Sequence, residues 1–196
     1  MLKVEPVALE GRFVRLEPTT LDHAADLARA ADADTFQYFI TGGPASIDEA
    51  GIRGYIASKL SSPTVQAFSV FSKELGKFVG MTSYMDIRPE HRGLEIGMTW
   101  YAGEARGTRV NPECKLLLLG HAFEVLGCVR VQIKTDARNK HSQAAIAKLG
   151  AVYEGTLRKH MIFPNGFVRD TVMYSVLPEE WPAMKARLEA RLRIPL

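Results

Sequence analysis

The residues that say most about chemistry are Arg106-Gly107-Thr108-Arg109, followed at once by Val110, Asn111 and Pro112. Asn111 is a good N-cap and Pro112 suits the first helical position, so a helix is expected from there to Leu126, with Gly127 as its stop. The start of a helix leaves N–H groups without partners and carries positive potential, and together these make an anion site. Gly107 lets the backbone approach a phosphate closely, and Arg106 and Arg109 can add charge-assisted hydrogen bonds. A diphosphate suits such a loop. The same residues also describe an ordinary surface loop, and the spacing by itself leaves both readings open. Neither GxxxxGK[ST] nor GxGxxG occurs, which argues against a nucleotide-binding domain.

The elements that must position this loop follow from periodicity. Arg12–Glu17 alternates Phe13 and Leu16 with charged neighbours and stops at Pro18, as a first strand would. Thr20 precedes an alanine-rich helix over Leu21–Ala31, and Thr41-Gly42-Gly43-Pro44 reads as a loop. Ser46 and Glu49 have capping-box spacing for a second helix through about Leu60. Val65–Lys73 and Lys77–Ile87 form a hairpin across Glu74–Gly76, and Leu94–Tyr101 is the strand that enters the loop. After the loop helix, Cys128–Thr135 alternates Val129, Val131 and Ile133 with Arg130, Gln132 and Lys134. A short helix over Ser142–Leu149 ends at Gly150. Ala151–Phe163 and Phe167–Leu177 pair around Pro164-Asn165-Gly166, and a last helix covers Glu179–Arg193. The predicted fold is α/β and layered: a mixed, mostly antiparallel sheet with a strand–helix–strand crossover, flanked by helices and forming one domain over residues 1–196.

Composition narrows the function classes. With 46% hydrophobic and 24% charged residues among 196, the chain can bury a core. A formal net charge of +3 with scattered Lys and Arg is too mild for a nucleic-acid partner. The apolar run Leu116–Leu119 is far too short to cross a membrane, so a cytoplasmic protein is expected. Cys114 and Cys128 lack metal-ligand spacing, and no metal is expected.

The runs EIGMTWYAGEARGTRVNPECKLLLLGHAFEVLG, VRVQIKTDARNKHSQAAIAKLGA and EGTLRK resemble the GNAT acyltransferase superfamily, and within it the RimJ/RimL-type N-acetyltransferases. The likeness runs from Gly11 to Trp181. It implies an acetyl-CoA-dependent N-acetyltransferase whose acceptor is a primary amine, of a protein N-terminus or a small molecule. The family's coenzyme A loop falls on Glu104 to Arg109, so Arg106, Gly107, Thr108, Arg109, Val110 and Asn111 are the implied cofactor contacts. Gly107 matches the pattern. Glu104 stands where Gln or Arg is usual, and Arg109 where a small residue is usual. The family's Asn-x-x-Ser mark falls on Asn139 and Ser142: Asn139 is implied to bond the pantetheine arm, and Ser142 to assist protonation of the departing thiolate. Both residues also suit the cap of a short helix. A homodimer would fit the family.

Direct acetyl transfer needs a base for the amine, donors for the carbonyl oxygen and a site for the thiolate; it needs no covalent enzyme intermediate. Glu95 is the candidate base. It sits between Leu94 and Ile96 just before the loop, where apolar neighbours suit a carboxylate that works near neutrality. An ordinary outward polar residue is the equal alternative. Glu154, His160 and Asp170 are weaker candidates, and Tyr174 can hydrogen-bond a substrate or, as is usual for an aromatic in a late strand, belong to the core. Asp32, Asp34, Asp48 and Glu49 can attract a cationic amine or simply face solvent. A non-catalytic acyl-CoA-binding module is the competing reading, and the departures at Glu104 and Arg109 favour it.

Overall fold

The computed structural model describes residues 2–39 and 43–193, so Thr41 and Gly42 of the expected loop lie outside the described residues. The alternating segments pair into one sheet of eight strands in the order β1-β2-β3-β4-β5-β6-β8-β7. The strands are β1 (Leu9–Glu10), β2 (Val14–Pro18), β3 (Gln66–Ser72), β4 (Lys77–Arg88), β5 (Gly93–Tyr101), β6 (Arg130–Asp136), β7 (Val152–Ile162) and β8 (Val168–Val176). Every neighbouring pair is antiparallel except β5 with β6. The helices are α1 (Ala24–Ala30), α2 (Glu49–Leu60), α3 (Val110–Gly120), α4 (Lys140–Leu149) and α5 (Trp181–Arg193). This is the expected layered architecture, with β1 as an addition: two residues carry too little pattern to be read from sequence.

Several boundaries differ from expectation for local reasons. Asp48, not Ser46, caps α2: its carboxylate accepts the Gly51 N–H at 2.8 Å, and Ser46 donates its hydroxyl to Asp48 at 2.7 Å. The first helix opens with a 3-10 turn over Leu21–His23 before α1 begins. α3 starts at Val110 rather than at Pro112, with Arg109 at the N-cap. α4 starts at Lys140, two residues before Ser142. α3 runs on into a π-helical turn over His121–Val125, where the Leu126 N–H reaches His121 O at 2.9 Å. Gly127 then turns the chain at φ +65.

Two apolar layers sandwich the sheet. Cys114, Leu118 and Leu119 of α3 and Met184 and Leu188 of α5 pack with Val14, Leu16, Tyr84, Leu94, Ile96, Val131, Ile133 and Val176 on one face. Leu27 of α1 and Ile52, Tyr55 and Ile56 of α2 pack with Ala67, Met81 and Trp100 on the other. Ile96 and Trp100 are an even number of residues apart and would share a face on a regular strand. They do not, because β5 carries a bulge: Gly97 stands opposite Ser83 but Trp100 opposite Met81, and Met98 takes φ +49.

The N-terminal strands are tied to the loop helix by one side chain. The buried Glu113 carboxylate on α3 accepts the backbone N–H groups of Arg12 at 2.9 Å, Phe13 at 2.6 Å and Val14 at 2.6 Å. Gly11 permits that approach, since a Cβ there would lie 2.6 Å from the carboxyl carbon. Charge-assisted bonds to buried amides are the strong kind, and losing the acceptor leaves several donors unpaired. Glu113→Ala is therefore expected to destabilise the protein by about 3 kcal/mol, read as a lower denaturant midpoint with an unchanged slope.

Candidate active site

The loop between β5 and α3 is built to present amides. A 3-10 turn over Gly103–Ala105 closes when the Arg106 N–H bonds Gly103 O at 3.2 Å. Gly107 follows at φ +77 with nothing within 4 Å of the position a Cβ would take, so its backbone faces open space. Thr108 locks the next step: its hydroxyl donates to Ala105 O at 2.7 Å and accepts the Val110 N–H at 3.2 Å. The N–H groups of Gly107, Thr108 and Asn111 find no acceptor among the described residues. Orphan amides around a helix start fit a diphosphate.

The side chains of the loop are turned to other uses. Arg106 donates Nε to Tyr101 O and Nη2 to Asp32, both at 2.8 Å. Arg109 reaches Glu74 at 3.2 Å, with its guanidinium 4.8 Å from the centre of the Phe13 ring. Asn111 Oδ1 accepts the Tyr101 hydroxyl at 3.2 Å, and the Val110 side chain joins the core. Of the six loop residues expected at the cofactor, then, Gly107, Thr108 and Asn111 offer free amides, while Val110 spends its N–H on Thr108. The two side chains that depart from the family pattern are engaged elsewhere. Glu104 pairs with Lys77 at 2.6 Å, and the Arg109 side chain is led away toward β2 and the β3–β4 turn.

β5 and β6 hold together over Gly93–Glu95 and Arg130–Gln132 alone. Beyond Glu95 no ladder joins them, so peptide groups of Ile96–Tyr101 edge a wedge that leads from the loop into the sheet. Glu95 stands where the strands part and is 1% exposed. Its surroundings correct the expectation of apolar neighbours: Lys134 Nζ lies 2.8 Å from Oε2, and Gln132 Nε2 donates to the same oxygen at 3.0 Å. Leu94 and Ile96 point to the opposite face, as strand alternation requires. Asn139 caps α4, its Oδ1 accepting the Ser142 N–H at 2.9 Å. The Ser142 hydroxyl makes no hydrogen bond among the described residues.

The weaker candidates separate cleanly. Arg130 and Ser175 hold the Glu154 carboxyl at about 2, too acidic for a base near neutrality. His160 is exposed on β7, and Asp170 accepts the Lys159 N–H at 2.7 Å. Tyr174 is core and stacks edge-on against Tyr153 at 5.8 Å. Burial pushes the Cys114 thiol up to about 12 and the Cys128 thiol to about 11, so neither is a ready nucleophile. No helix among the described residues is long and apolar enough to cross a membrane.

Sequence reasoning missed the polar face around Glu95. Gln132 bridges Glu95, Asp86 at 3.1 Å and Arg88 at 3.2 Å. Asp136 binds Arg138 through Nε at 3.0 Å and Nη2 at 2.8 Å, and that guanidinium lies 3.5 Å from the Phe167 ring centre and 5.8 Å from that of Tyr38. Arg169 is buried nearby. The segment after α1 is thus tied twice, through Asp32 to Arg106 and through Tyr38 to Arg138. The available signal was Gln132, Lys134 and Asp136 at every second position of a central strand, which reads equally as a solvated edge.

Comparison with known proteins agrees with this geometry. The family model described as Acetyltransferase (GNAT) domain matches residues 14–152. YdaF of Bacillus subtilis (strain 168), provisionally named a ribosomal N-acetyltransferase, is 34% identical over 110 residues, which cover 56% of this chain and 59% of YdaF. The match thus spans less than two thirds of that relative. The crystal structure of a provisionally assigned acetyltransferase from T. thermophilus superposes with a TM-score of 0.89 at 42% identity, covering 97% of this chain and 99% of that one. A GCN5-related N-acetyltransferase from Brucella melitensis superposes with a TM-score of 0.90 at 31% identity, covering 97% of this chain and 87% of its own.

One further group beside the wedge is testable by pH. Lys115 of α3 is buried against Thr99 at 3.3 Å, and burial lowers its amine from 10.5 to about 8. The unfolded chain binds this proton more tightly, so the stability cost of Lys115 is full below pH 8 and vanishes as pH rises through 10.5. Lys115→Met should stabilise the protein by about 2 kcal/mol at pH 7, with the gain shrinking steadily toward the alkaline end. Thermal melts across that range check both the sign and the window.

Proposed function

This chain belongs to the GNAT acetyltransferase family, and on that premise we propose that it is an enzyme carrying the acetyl group of acetyl-coenzyme A to a primary amine by direct attack in a ternary complex. The observation that carries the reading is the set of orphan amides at Gly107, Thr108 and Asn111 at the mouth of the β5–β6 wedge. Those amides hold the diphosphate, and the wedge admits the pantetheine arm between the strands. Bound acetyl-CoA supplies a thioester as the activated acyl donor.

The protein's own groups do the rest. Peptide N–H groups of β5 near the bulge at Met98 serve the acyl carbonyl oxygen and stabilise charge that develops there. Asn139, at the start of α4, orients the pantetheine arm with the amide nitrogen that its capping bond leaves unused. Ser142 offers its hydroxyl to the departing sulfur. Glu95, on the opposite side of the parting, draws in the acceptor ammonium and takes its proton, while Lys134 and Gln132 fix the carboxylate in place. Asp32, taken up by Arg106, helps to shape the acceptor cleft. The acceptor is a primary amine of a protein N-terminus or of a small molecule.

Two variants test the division of labour. Gly107→Val forces a β-branched residue into the left-handed region where the amides must converge, and should weaken acetyl-CoA binding about tenfold or more by calorimetry. Glu95→Gln should leave that affinity in place and lower kcat about 100-fold, with altered pH dependence. Acceptor-dependent release of coenzyme A is the activity readout. An unchanged rate and pH profile in Glu95→Gln would remove the base assignment, and a wild-type protein that binds no acetyl-CoA would remove the function.

A further inference from the structure

The sheet face that carries Glu95 holds a cation with no hydrogen-bond or ion-pair partner among the described residues. Strand alternation puts Arg169, Thr171, Met173 and Ser175 of β8 on one face, and their β6 neighbours Gln132, Lys134 and Asp136 on the same one. Glu95 lies beside Gln132 in that row. Arg169 is 4% exposed. Its Nε is buried without an acceptor, and the side chain makes no hydrogen bond or ion pair among the described residues. The Thr171 hydroxyl, the next side chain along the face, is also buried without a partner.

The two carboxylates that act on Arg169, Asp136 and Glu95, are already taken, and so are their neighbours Glu154 and Asp86. Glu95 is bound by Lys134 and Gln132, Asp136 by Arg138, and Glu154 by Arg130 and Ser175. Asp86 accepts from Gln132 and faces Arg88 at 3.5 Å. Burial lowers the Arg169 guanidinium from its usual range; Asp136 and Glu95 act from a distance to raise it, and Arg138 opposes them. A desolvated guanidinium is costly unless something completes its hydrogen bonds, and its fork matches a carboxylate in two-point contact.

We infer that Arg169, with Thr171, binds a carboxylate carried by the same molecule as the amine, so that the acceptor is either a free amino acid or a peptide with an acidic first residue. The inference rests on the acetyl-transfer reading, which places the amine at Glu95. Arg169 then sets specificity without touching the acyl group.

The test compares acceptors matched except for that group: amino acids against their carboxamides, and short peptides beginning with Asp or Glu against those beginning with Asn or Gln. Wild-type protein should favour the carboxylate member of one set by about 100-fold in kcat/KM, and the responding set tells which source is used. Arg169→Met should abolish the preference, and Arg169→Lys should restore only part of it. Calorimetric titration of the coenzyme A-saturated protein with the same pairs reads the preference without turnover. Thermal melting of Arg169→Met should show no loss of stability, because the buried cation has no hydrogen bond or ion pair to lose among the described residues. Equal handling of both members by wild type, a preference that survives Arg169→Met, or a melting point lowered by several degrees in that variant would each overturn the inference. Failure to bind acetyl-CoA at all would instead strike the acetyl-transfer reading.

Discussion

The parting of β5 from β6 is the constraint from which the rest of the site follows. Two parallel strands share a ladder at Gly93–Glu95 and then diverge, because β6 continues its pairing with β8 while β5 continues with β4. Peptide groups on the edges of a gap need partners as much as any others, and a linear ligand with its own amides can supply them. The bulge at Met98 turns the strand and sends Trp100 into the α1–α2 layer, while the loop after Tyr101 leaves amides without acceptors among the described residues. α3 is anchored in place by Glu113 and by its apolar face, so the cradle is held by buried contacts rather than by its own loop.

The two sides of the wedge differ in character. The side toward α3 is an apolar core of Leu94, Ile96, Leu118 and Val131. The opposite side holds Glu95, Gln132, Lys134, Asp136 and Arg169 at low exposure. Burying that many ionisable groups adds little to stability even when they are paired, since desolvation offsets most of the attraction. On the proposed role of Glu95 their arrangement is preorganisation: paired groups hold Glu95 in one position, and Arg169 lies along the same face with no hydrogen-bond or ion-pair partner among the described residues.

Electrostatics also places the side chains that make the loop sequence atypical. A glutamate near an anion site would repel its guest, but Lys77 on the adjoining strand draws Glu104 aside. Arg109, too bulky for the tight position it occupies in the pattern, lies against Phe13 and reaches Glu74. Arg106 serves the fold, linking β5 to the segment after α1. In the proposed binding mode the contacts come from amides, and amides depend on conformation rather than on side-chain type.

The order of strands and helices, the loop with Gly107 and the caps at Asn139 and Gly150 were all legible from sequence, because periodicity and turn chemistry act over a few residues. Glu95 was legible as a candidate by its place before the loop. Its partners were not: Lys134 and Gln132 lie 39 and 37 positions further on and meet it only through a parallel pairing that no local pattern encodes. The same holds for Glu113, which looked like a first-turn acid of α3 and proves to hold strand amides about a hundred residues away. Start points of α2 and α3 went astray because the expected caps are occupied elsewhere: Ser46 donates its hydroxyl to Asp48, which itself takes the Gly51 N–H, and Asn111 Oδ1 accepts the Tyr101 hydroxyl. Sequence alone supplied the candidates for the chemistry, an anion loop and a strand carboxylate, since both are local features. Which groups are charged in company and which is left alone was decided by the tertiary structure, because pairing and desolvation depend on what the fold brings within a few ångströms.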